Sequence, residues 1–220
     1  MNNNLTELVF ILDMSGSMQH LTEDTIGGYN ALLKEQKEQD GDAVVTTVLF
    51  DDRYIVLHDR VPIENVEYLT DKDYKPLGMT AMLDAVGKTI NSVGQHLANI
   101  EESQRPGTVI VTIITDGLEN SSKEYTWNSV QEMIKHQREK YSWIFTFIGA
   151  NIDVMKVSQD LGIDMKMAKN YTASKKGTAK LFGAMASTVT YARKARASSA
   201  SYDSVMDEMS NIMDEIESED

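Results

Sequence analysis

Residues 7–17 read ELVFILDMSGS, and this stretch predicts a buried strand that runs into a polar loop. The run at residues 7–12, which is apolar from Leu8 on, is followed at once by Asp13 and a cluster of serine and glycine. A short apolar run bounded by turn residues is typical of a strand that neighbouring elements cover. The loop after this strand therefore carries the first candidate ligand groups, which are Asp13, Ser15 and Ser17.

A second stretch of the same kind lies near the middle of the chain, where residues 108–117 read TVIVTIITDG. Residues 108–114 are mostly apolar and β-branched, as expected of a central parallel strand that is covered on both faces. This strand also runs into an aspartate, Asp116. In a doubly wound sheet, ligands bind beyond the carboxyl ends of the strands where the winding reverses. We therefore expect Asp13 and Asp116 to lie close together.

Strand and helix patterns alternate along the rest of the chain. The predicted helices cover residues 22–39, 80–99, 127–140, 154–161 and 174–195, and the further strands cover residues 43–50, 53–58, 143–148 and 165–168. Only Asp51 and Asp52 separate strands 43–50 and 53–58, which predicts a two-residue hairpin turn and an antiparallel pair at a sheet edge. The sequence therefore predicts an α/β fold with a doubly wound, mostly parallel sheet, one antiparallel edge strand and helices on both faces.

The composition is that of a folded globular protein, and it excludes several classes of function. The 220 residues carry 21 Lys and Arg against 34 Asp and Glu, a net charge of −13, which argues against binding to nucleic acid or to an anionic membrane. The absence of cysteine excludes disulfides, thiolate zinc sites and cysteine nucleophiles. No apolar run approaches the roughly 20 residues of a membrane-spanning helix, and no basic segment of a signal peptide opens the sequence. A cytoplasmic location is expected.

The charge distribution sets the end of the chain apart. Residues 165–202 contain eight basic and no acidic residues, whereas residues 203–220 contain eight acidic and no basic residues. The acidic segment has apolar residues at helical spacing, namely Val205, Met209, Ile212, Met213 and Ile216. We therefore predict a domain at residues 1–197 and an acidic, amphipathic, helical extension at residues 198–220. This extension is expected to pair with the basic helix 174–196 or with another copy, or to reach the metal site with one of its carboxylates.

Five oxygen-bearing side chains from three segments form a candidate metal site. Asp13, Ser15 and Ser17 alternate along one loop, and Gly16 lies at its bend. Thr80 follows Leu77-Gly78-Met79 and is expected to be the N-cap of helix 80–99, while Asp116 ends the second strand. Hard divalent cations prefer such oxygen ligands, and the four scattered histidines make zinc a poor alternative. The sequence predicts Mg²⁺ or Mn²⁺ bound by Asp13, Ser15, Ser17, Thr80 and Asp116.

These motifs closely resemble those of the von Willebrand factor type A domain and its metal-ion-dependent adhesion site. The resemblance rests on DMSGS at residues 13–17, on Thr80 within GMTAMLDA at residues 78–85, and on TDG at residues 115–117. It covers about residues 5–196, in the order of the family. Met79 stands where the family often has a second glycine, which would stiffen the loop at Thr80 without removing a ligand.

The resemblance implies a Rossmann-like sheet and a role for each residue of the site. Ser15 and Ser17 would bind the metal directly, Thr80 would do so in one conformational state, and Asp13 and Asp116 would bind directly or through water. The remaining position would accept an Asp or Glu of a protein partner. The family resemblance thus implies adhesion rather than catalysis, in an intracellular, bacterial-type module whose partner is an ATPase or a stress-response complex.

Other interpretations of these residues remain. Asp13 resembles the nucleophile of some Mg²⁺-dependent phosphohydrolases, although Ser15 stands where those enzymes need a second carboxylate. Residues 13–17 alone are also compatible with an ordinary turn that binds no metal. A further interpretation is a structural protein in which the site is not used. Gly87-Lys88-Thr89 is not a phosphate-binding loop, because position 82 is Met rather than Gly and the segment lies within a predicted helix.

Overall fold

The structure, a computed structural model, describes residues 1–217, so that Glu219 and Asp220 of the predicted extension lie outside the described residues. The strands are β1 Asn2–Asp13, β2 Asp42–Phe50, β3 Tyr54–Pro62, β4 Pro106–Thr115, β5 Ile144–Gly149 and β6 Ala168–Asn170. The helices are α1 Thr22–Lys37, α2 Met82–Asn99, α3 Trp127–Tyr141, α4 Val154–Leu161, α5 Lys175–Ala197 and α6 Tyr202–Met213. Among the described residues, no helix combines the length and apolarity that crossing a bilayer requires.

The six strands form one sheet in the order β3-β2-β1-β4-β5-β6. Strand β3 is antiparallel to β2 and lies at one edge, whereas all other neighbours are parallel. Helix α1 packs against α5 on one face of the sheet, and α2, α3 and α4 pack in succession on the other. The predicted Rossmann-like α/β fold is confirmed. The winding reverses between β1 and β4, so the two strands with the aspartate motifs lie side by side at the centre.

The core follows from the patterning of these elements. The apolar residues of β1 and β4 are buried on both faces of the sheet, as their continuous apolar character predicts. The predicted stripe of α2 is buried along its whole length and consists of Leu83, Val86, Ile90, Val93 and Leu97. Because both central strands are fixed by packing on two sides, the loops at their carboxyl ends start from a rigid platform.

Two local predictions were wrong. The hairpin between β2 and β3 has a loop of three residues, 51–53, because the buried carboxylate of Asp51 accepts hydrogen bonds from the backbone N–H of Arg53 (2.6 Å) and from its guanidinium Nε (3.0 Å). The predicted strand at residues 165–168 is a 3₁₀ turn over Met165–Met167 followed by β6. The side chain of Asp164 accepts from the backbone N–H of Lys166 and begins that turn.

The acidic extension forms α6 and a further 3₁₀ turn, Asp214–Ile216, and packs against α5 and β6. Its apolar stripe, except for the half-buried Ile212, joins the main core, in which Val205, Met209 and Met213 are fully buried. Asp207 forms an ion pair with Lys166 at 2.7 Å, and Asp214 pairs with Lys169. Both of these tail carboxylates therefore have a partner within the chain.

Not all eight basic residues of segment 165–202 lie on the surface. Arg193 of α5 is buried and binds the end of α1. Its guanidinium donates to the carbonyl oxygens of Gln36 (2.9 Å) and Gly41 (2.8 Å). Carbonyls at the end of a helix lack partners within the helix, and Arg193 supplies one.

Candidate metal centre

Asp13 is the last residue of β1 and lies buried at the centre of the site. One carboxylate oxygen, Oδ1, accepts from the backbone N–H of Ser15 at 2.6 Å, and the other, Oδ2, accepts from the hydroxyl of Thr115 on the neighbouring strand β4. Burial raises the pKa of the Asp13 carboxyl to about 6, although the hydrogen bonds from Ser15 and Thr115 act in the opposite direction. Asp13 is therefore fixed in orientation by both central strands.

The two serines link the first loop to the second. The hydroxyl oxygens of Ser15 and Ser17 lie 3.0 Å apart, and Ser17 donates a hydrogen bond to Oδ1 of Asp116. Between them, Gly16 donates its backbone N–H to the carbonyl oxygen of Gly78 at 3.1 Å. The loop after β1 is thus held on one side by Asp116 and on the other by the loop that precedes α2.

Asp116 directly follows β4, and its carboxylate is only partly paired. Its Oδ1 accepts from Ser17, but its Oδ2 is buried and has no hydrogen-bond partner. Burial raises the pKa of the Asp116 carboxyl, an effect that Ser17 and the nearby His20 reduce. Buried polar atoms nearly always have a partner, so an unpaired carboxylate oxygen at this position calls for a positively charged or hydrogen-bonding ligand.

Thr80 lies at the site, but it is not the N-cap of the helix as predicted. Helix α2 begins at Met82, and Thr80 precedes it in an irregular segment. The backbone of Thr80 is held by Asn120, whose side-chain oxygen accepts from the Thr80 N–H at 2.9 Å and whose own N–H donates to the Thr80 carbonyl at 3.0 Å. These bonds fix the position of Thr80 without using its hydroxyl.

Gly117 has no side chain and leaves open the space between these residues. A β-carbon built on Gly117 would lie 3.1 Å from Oγ1 of Thr80, 3.3 Å from Oγ of Ser17 and 3.8 Å from Oδ2 of Asp13. Oxygens from three segments therefore surround one point that a side chain would fill. Together with the bonds that join Ser17 to its neighbours Ser15 and Asp116, this geometry brings all five predicted residues together. That they bind a metal stays a prediction.

Three supporting residues were missed by the sequence analysis: Thr115, Glu119 and Asn120. Glu119 accepts from the backbone N–H of Leu83 at 2.9 Å and from that of Ser122 at 2.8 Å, which ties the loop after β4 to the start of α2. The sequence offers one signal for them, since the segment TDGLEN at residues 115–120 is dense in polar side chains directly after a buried strand. The partners of these residues lie on distant segments and carry no such signal.

The loop before α2 is also held by the residue after Asp13 and by the β2–β3 hairpin. Gly78 has a φ of +78°, and a β-carbon at this position would overlap Oδ1 of Asp52. The N–H of Leu77 donates to the carbonyl oxygen of Met14 at 3.0 Å, and the N–H of Ala81 donates to that of Asp51 at 2.9 Å. The three loops of the site and the β2–β3 hairpin therefore form one hydrogen-bonded unit.

The donor set fits a hard divalent cation. It consists of two carboxylates and three hydroxyls, which are oxygen ligands that such cations prefer. One carboxylate oxygen is buried and unpaired, and the space beside these groups is open because residue 117 is glycine. Within residues 1–217, no group of three or more His, Cys, Asp or Glu side chains is placed to hold a metal ion. The site described here differs from such centres, because most of its donors are neutral hydroxyls.

Comparison with models of protein families and with curated proteins finds no match. Among solved structures, the proximal thread matrix protein 1 of the mussel byssus superposes with a TM-score of 0.56 at 14% identity, over 84% of this chain and 46% of that one. The von Willebrand factor type A protein of Catenulispora acidiphila has a TM-score of 0.54 at 14% identity, over 84% and 43% of the two chains. The manganese-loaded TRAP protein of Plasmodium vivax has a TM-score of 0.53 at 16% identity, over 81% and 72%.

These likenesses show the fold, which is that of von Willebrand factor type A domains. A second structure of the mussel protein, with a TM-score of 0.55 at 16% identity, has zinc in its metal-ion-dependent adhesion site. The present chain spans less than half the length of the mussel and Catenulispora chains, 46% and 43% respectively.

Proposed function

We propose that this chain, which has the fold of von Willebrand factor type A domains, is a divalent-cation-dependent protein-interaction module. The observation that carries the proposal is that oxygens of Thr80, Ser17 and Asp13 surround the space beside Gly117, while Ser17 contacts Ser15 and Asp116, whose Oδ2 is buried and unpaired. A cation of charge +2 would satisfy that oxygen. The function we assign to the site is to bind a carboxylate of a protein partner through this cation.

Each side chain has a distinct part in the proposed site. The hydroxyls of Ser15, Ser17 and Thr80 would be neutral ligands, and Asp116 would supply a negative charge through its unpaired oxygen. Asp13 already accepts hydrogen bonds from Ser15 and Thr115, so part of its charge is shared with these donors. A bound cation would act as a Lewis acid that is only partly neutralised and therefore attracts an Asp or Glu of the partner.

The identity of the cation is proposed from the donor atoms. Carboxylate and hydroxyl oxygens suit Mg²⁺ or Mn²⁺, and the described site contains no imidazole or thiolate ligand. Two structural neighbours hold manganese and zinc, which supports a divalent cation in general. We also propose, by analogy with the family, a cytoplasmic, bacterial-type adaptor whose partner belongs to an ATPase or a stress-response complex.

A Mg²⁺-dependent phosphohydrolase is less consistent with the geometry. The alternative needs Asp13 as a nucleophile, but both of its oxygens accept hydrogen bonds and the side chain is buried. A carboxylate held in this way is poorly placed to attack phosphorus. The geometry therefore favours binding over catalysis at Asp13.

The proposal is tested by a titration of the metal-free protein with Mn²⁺, followed by electron paramagnetic resonance, and with Mg²⁺ and Zn²⁺ by calorimetry. Asp116→Asn is expected to weaken Mn²⁺ binding more than tenfold, because it removes the charge of the unpaired oxygen. Asp160→Asn, at an exposed carboxylate on α4, is the matched control and should bind as the wild type does. Wild-type protein that binds none of the three ions would overturn the proposal.

The enzymatic alternative is checked on the same samples. Hydrolysis of p-nitrophenyl phosphate in the presence of Mg²⁺ is expected to be absent. Turnover by the wild type that Asp13→Asn abolishes, while Asp160→Asn retains it, would establish the phosphohydrolase instead.

A further inference from the structure

Three large apolar side chains on two loops of the candidate metal centre are mostly exposed to solvent. Leu77 is 69% exposed, Met79 is 56% exposed and Leu118 is 61% exposed. We call these three residues the apolar rim. Single exposed apolar residues are ordinary on a protein surface, but a group of them around a polar site indicates an interaction surface.

The backbone contacts place the rim directly at the site. Leu77 and Met79 flank Gly78, whose carbonyl accepts from Gly16 in the first metal loop. Leu118 follows Gly117, whose β-carbon position is 3.1 Å from the hydroxyl of Thr80. Since consecutive Cα atoms lie about 3.8 Å apart, each rim residue is one position from a backbone that contacts the candidate ligands.

The fold itself does not require apolar residues at these positions. In these two loops, residues next to the rim have the structural roles. Gly78 adopts a positive φ, and Thr80 and Asp116 supply oxygens. The rim side chains are mostly exposed and lie outside the hydrophobic core. Their apolar character is therefore explained by contact with another molecule rather than by packing within this one.

We propose that the apolar rim recognises large apolar side chains next to the acidic residue that binds the metal. The partner we infer is a protein segment in which an Asp or Glu is flanked within a few residues by Leu, Ile, Met or Phe. This inference rests on the proposed function of the metal site. The cation would fix the acid, and the rim would select the acids whose neighbours are apolar.

The charges around the site support this choice of partner. The protein carries a net charge of −13, and the carboxylate of Asp52 lies against Gly78, between two residues of the rim. A segment rich in acidic residues would therefore be repelled by the surroundings of the cation. A single acid with apolar neighbours avoids that repulsion and covers the rim.

The test selects from a random peptide library on the immobilised full-length protein in Mn²⁺, with elution by a chelator. The enriched peptides are expected to contain Asp or Glu with a large apolar residue within two positions. The variant Leu77→Ser, Met79→Ser, Leu118→Ser is then titrated with these peptides, and its affinity is expected to fall about tenfold or more. A matched variant, Met155→Ser, Met165→Ser, changes two exposed methionines elsewhere and should bind as the wild type does.

The outcomes separate the rim from the metal site. Mn²⁺ affinity, measured without peptide, is expected to be unchanged in the rim variant. If wild-type protein binds Mn²⁺ and enriches acidic peptides that show no apolar preference, or if the rim variant binds the peptides as tightly as the wild type, the rim inference is wrong and the metal site stands. If wild-type protein binds no metal, the proposed function fails first.

Discussion

At the residue scale, Gly117 decides whether there is room at the candidate metal centre. Gly117→Ala would place a methyl group 3.1 Å from Oγ1 of Thr80 and 3.3 Å from Oγ of Ser17, in the space that the oxygens surround. We expect this variant to lose Mn²⁺ binding while its circular dichroism spectrum stays that of the wild type. Gly27→Ala is the control, because a β-carbon there contacts nothing within 4 Å. Undiminished Mn²⁺ affinity in Gly117→Ala would place the cation elsewhere.

The burial of a further carboxylate, that of Glu7, predicts that the stability of the protein depends on pH. Burial raises the pKa of Glu7 in β1 from 4.5 to about 7, and the nearby Asp59 adds to the rise. The ion pair with Arg60 and the hydrogen bond from Thr46 lower this pKa, but burial outweighs both. A raised pKa in the folded state means that the folded protein holds this proton more tightly than the unfolded chain does. The contribution of Glu7 to the free energy of unfolding is therefore greatest below pH 4.5 and is lost as the pH rises to about 7.

The comparison of wild type with Glu7→Gln isolates this effect. Relative to the variant, the wild type is expected to lose up to about 3 kcal/mol of unfolding free energy between pH 4.5 and pH 8. Urea denaturation across that range measures it, and Glu64→Gln, at an exposed position, should run parallel to the wild type. Parallel curves for Glu7→Gln and the wild type would contradict the prediction.

The candidate ligands could be predicted from the sequence because each carries a local signal. Asp13 and Asp116 follow apolar runs, and the serines alternate with Asp13 along one loop. The residues that hold them share only the polar segment 115–120, and their partners carry no signal because they are distant: Glu119 accepts from the N–H of Leu83, 36 positions away. The ion pair of Glu7 with Arg60 was equally hidden, because Arg60 lies 53 positions away.

At the scale of elements, two adjacent glycines of α1 behave differently for a reason that only the packing shows. A β-carbon on Gly28 would overlap the ring of Phe182 on α5, whereas one on Gly27 would meet open space. Gly28→Ala is expected to lower the free energy of unfolding by about 1 to 3 kcal/mol through overpacking. Gly27→Ala is expected to raise it by about 0.5 to 1 kcal/mol through helix propensity. Urea denaturation of the pair measures both, and a loss of stability in Gly27→Ala would contradict this packing.

The existence and order of the elements followed from periodicity, but several of their ends did not. Strand β1 begins at Asn2 rather than at Glu7, because its polar first residues pair with β4, as in the register of Asn2 with Pro106. Strand β3 runs on to Pro62 past Arg60, which has a φ of +51° at an irregularity of the ladder. Such extensions depend on a neighbouring strand, which the local sequence does not reveal.

At the scale of the whole molecule, the acidic extension is part of the folded core. Met209 of α6 is fully buried, and Met209→Ala is expected to cost about 2 to 5 kcal/mol of unfolding free energy. Glu208→Ala, at the exposed neighbouring position, should change it by less than about 0.5 kcal/mol. Thermal and urea unfolding of both variants check this. Equal stability of Met209→Ala and the wild type would mean that the extension leaves the domain in solution.

The sequence predicted an amphipathic helix here, but not where its charges would find partners. We expected pairing with helix 174–196 or with another copy, and α6 does pack against α5. Two of its carboxylates, those of Asp207 and Asp214, pair instead with Lys166 and Lys169, next to and within β6. Glu217 also accepts from the backbone N–H of Asn170 at 2.7 Å, so the extension satisfies part of the exposed edge of the sheet. The opposite charges of the two segments indicated attraction, and the topology decided which lysines were within reach.

The length of β1 has a practical consequence. The strand begins at Asn2, where the backbone N–H bonds to the carbonyl of Arg105 at 2.7 Å, and ends at Asp13. Its 12 residues therefore separate the start of the strand from the loops of the candidate metal centre by about 36 Å. A tether or fusion partner attached ahead of Asn2 would thus sit at the far pole of the molecule. Protein anchored to a sensor chip in this way would hold the loops of the candidate metal centre outward, open to whatever is passed over the surface.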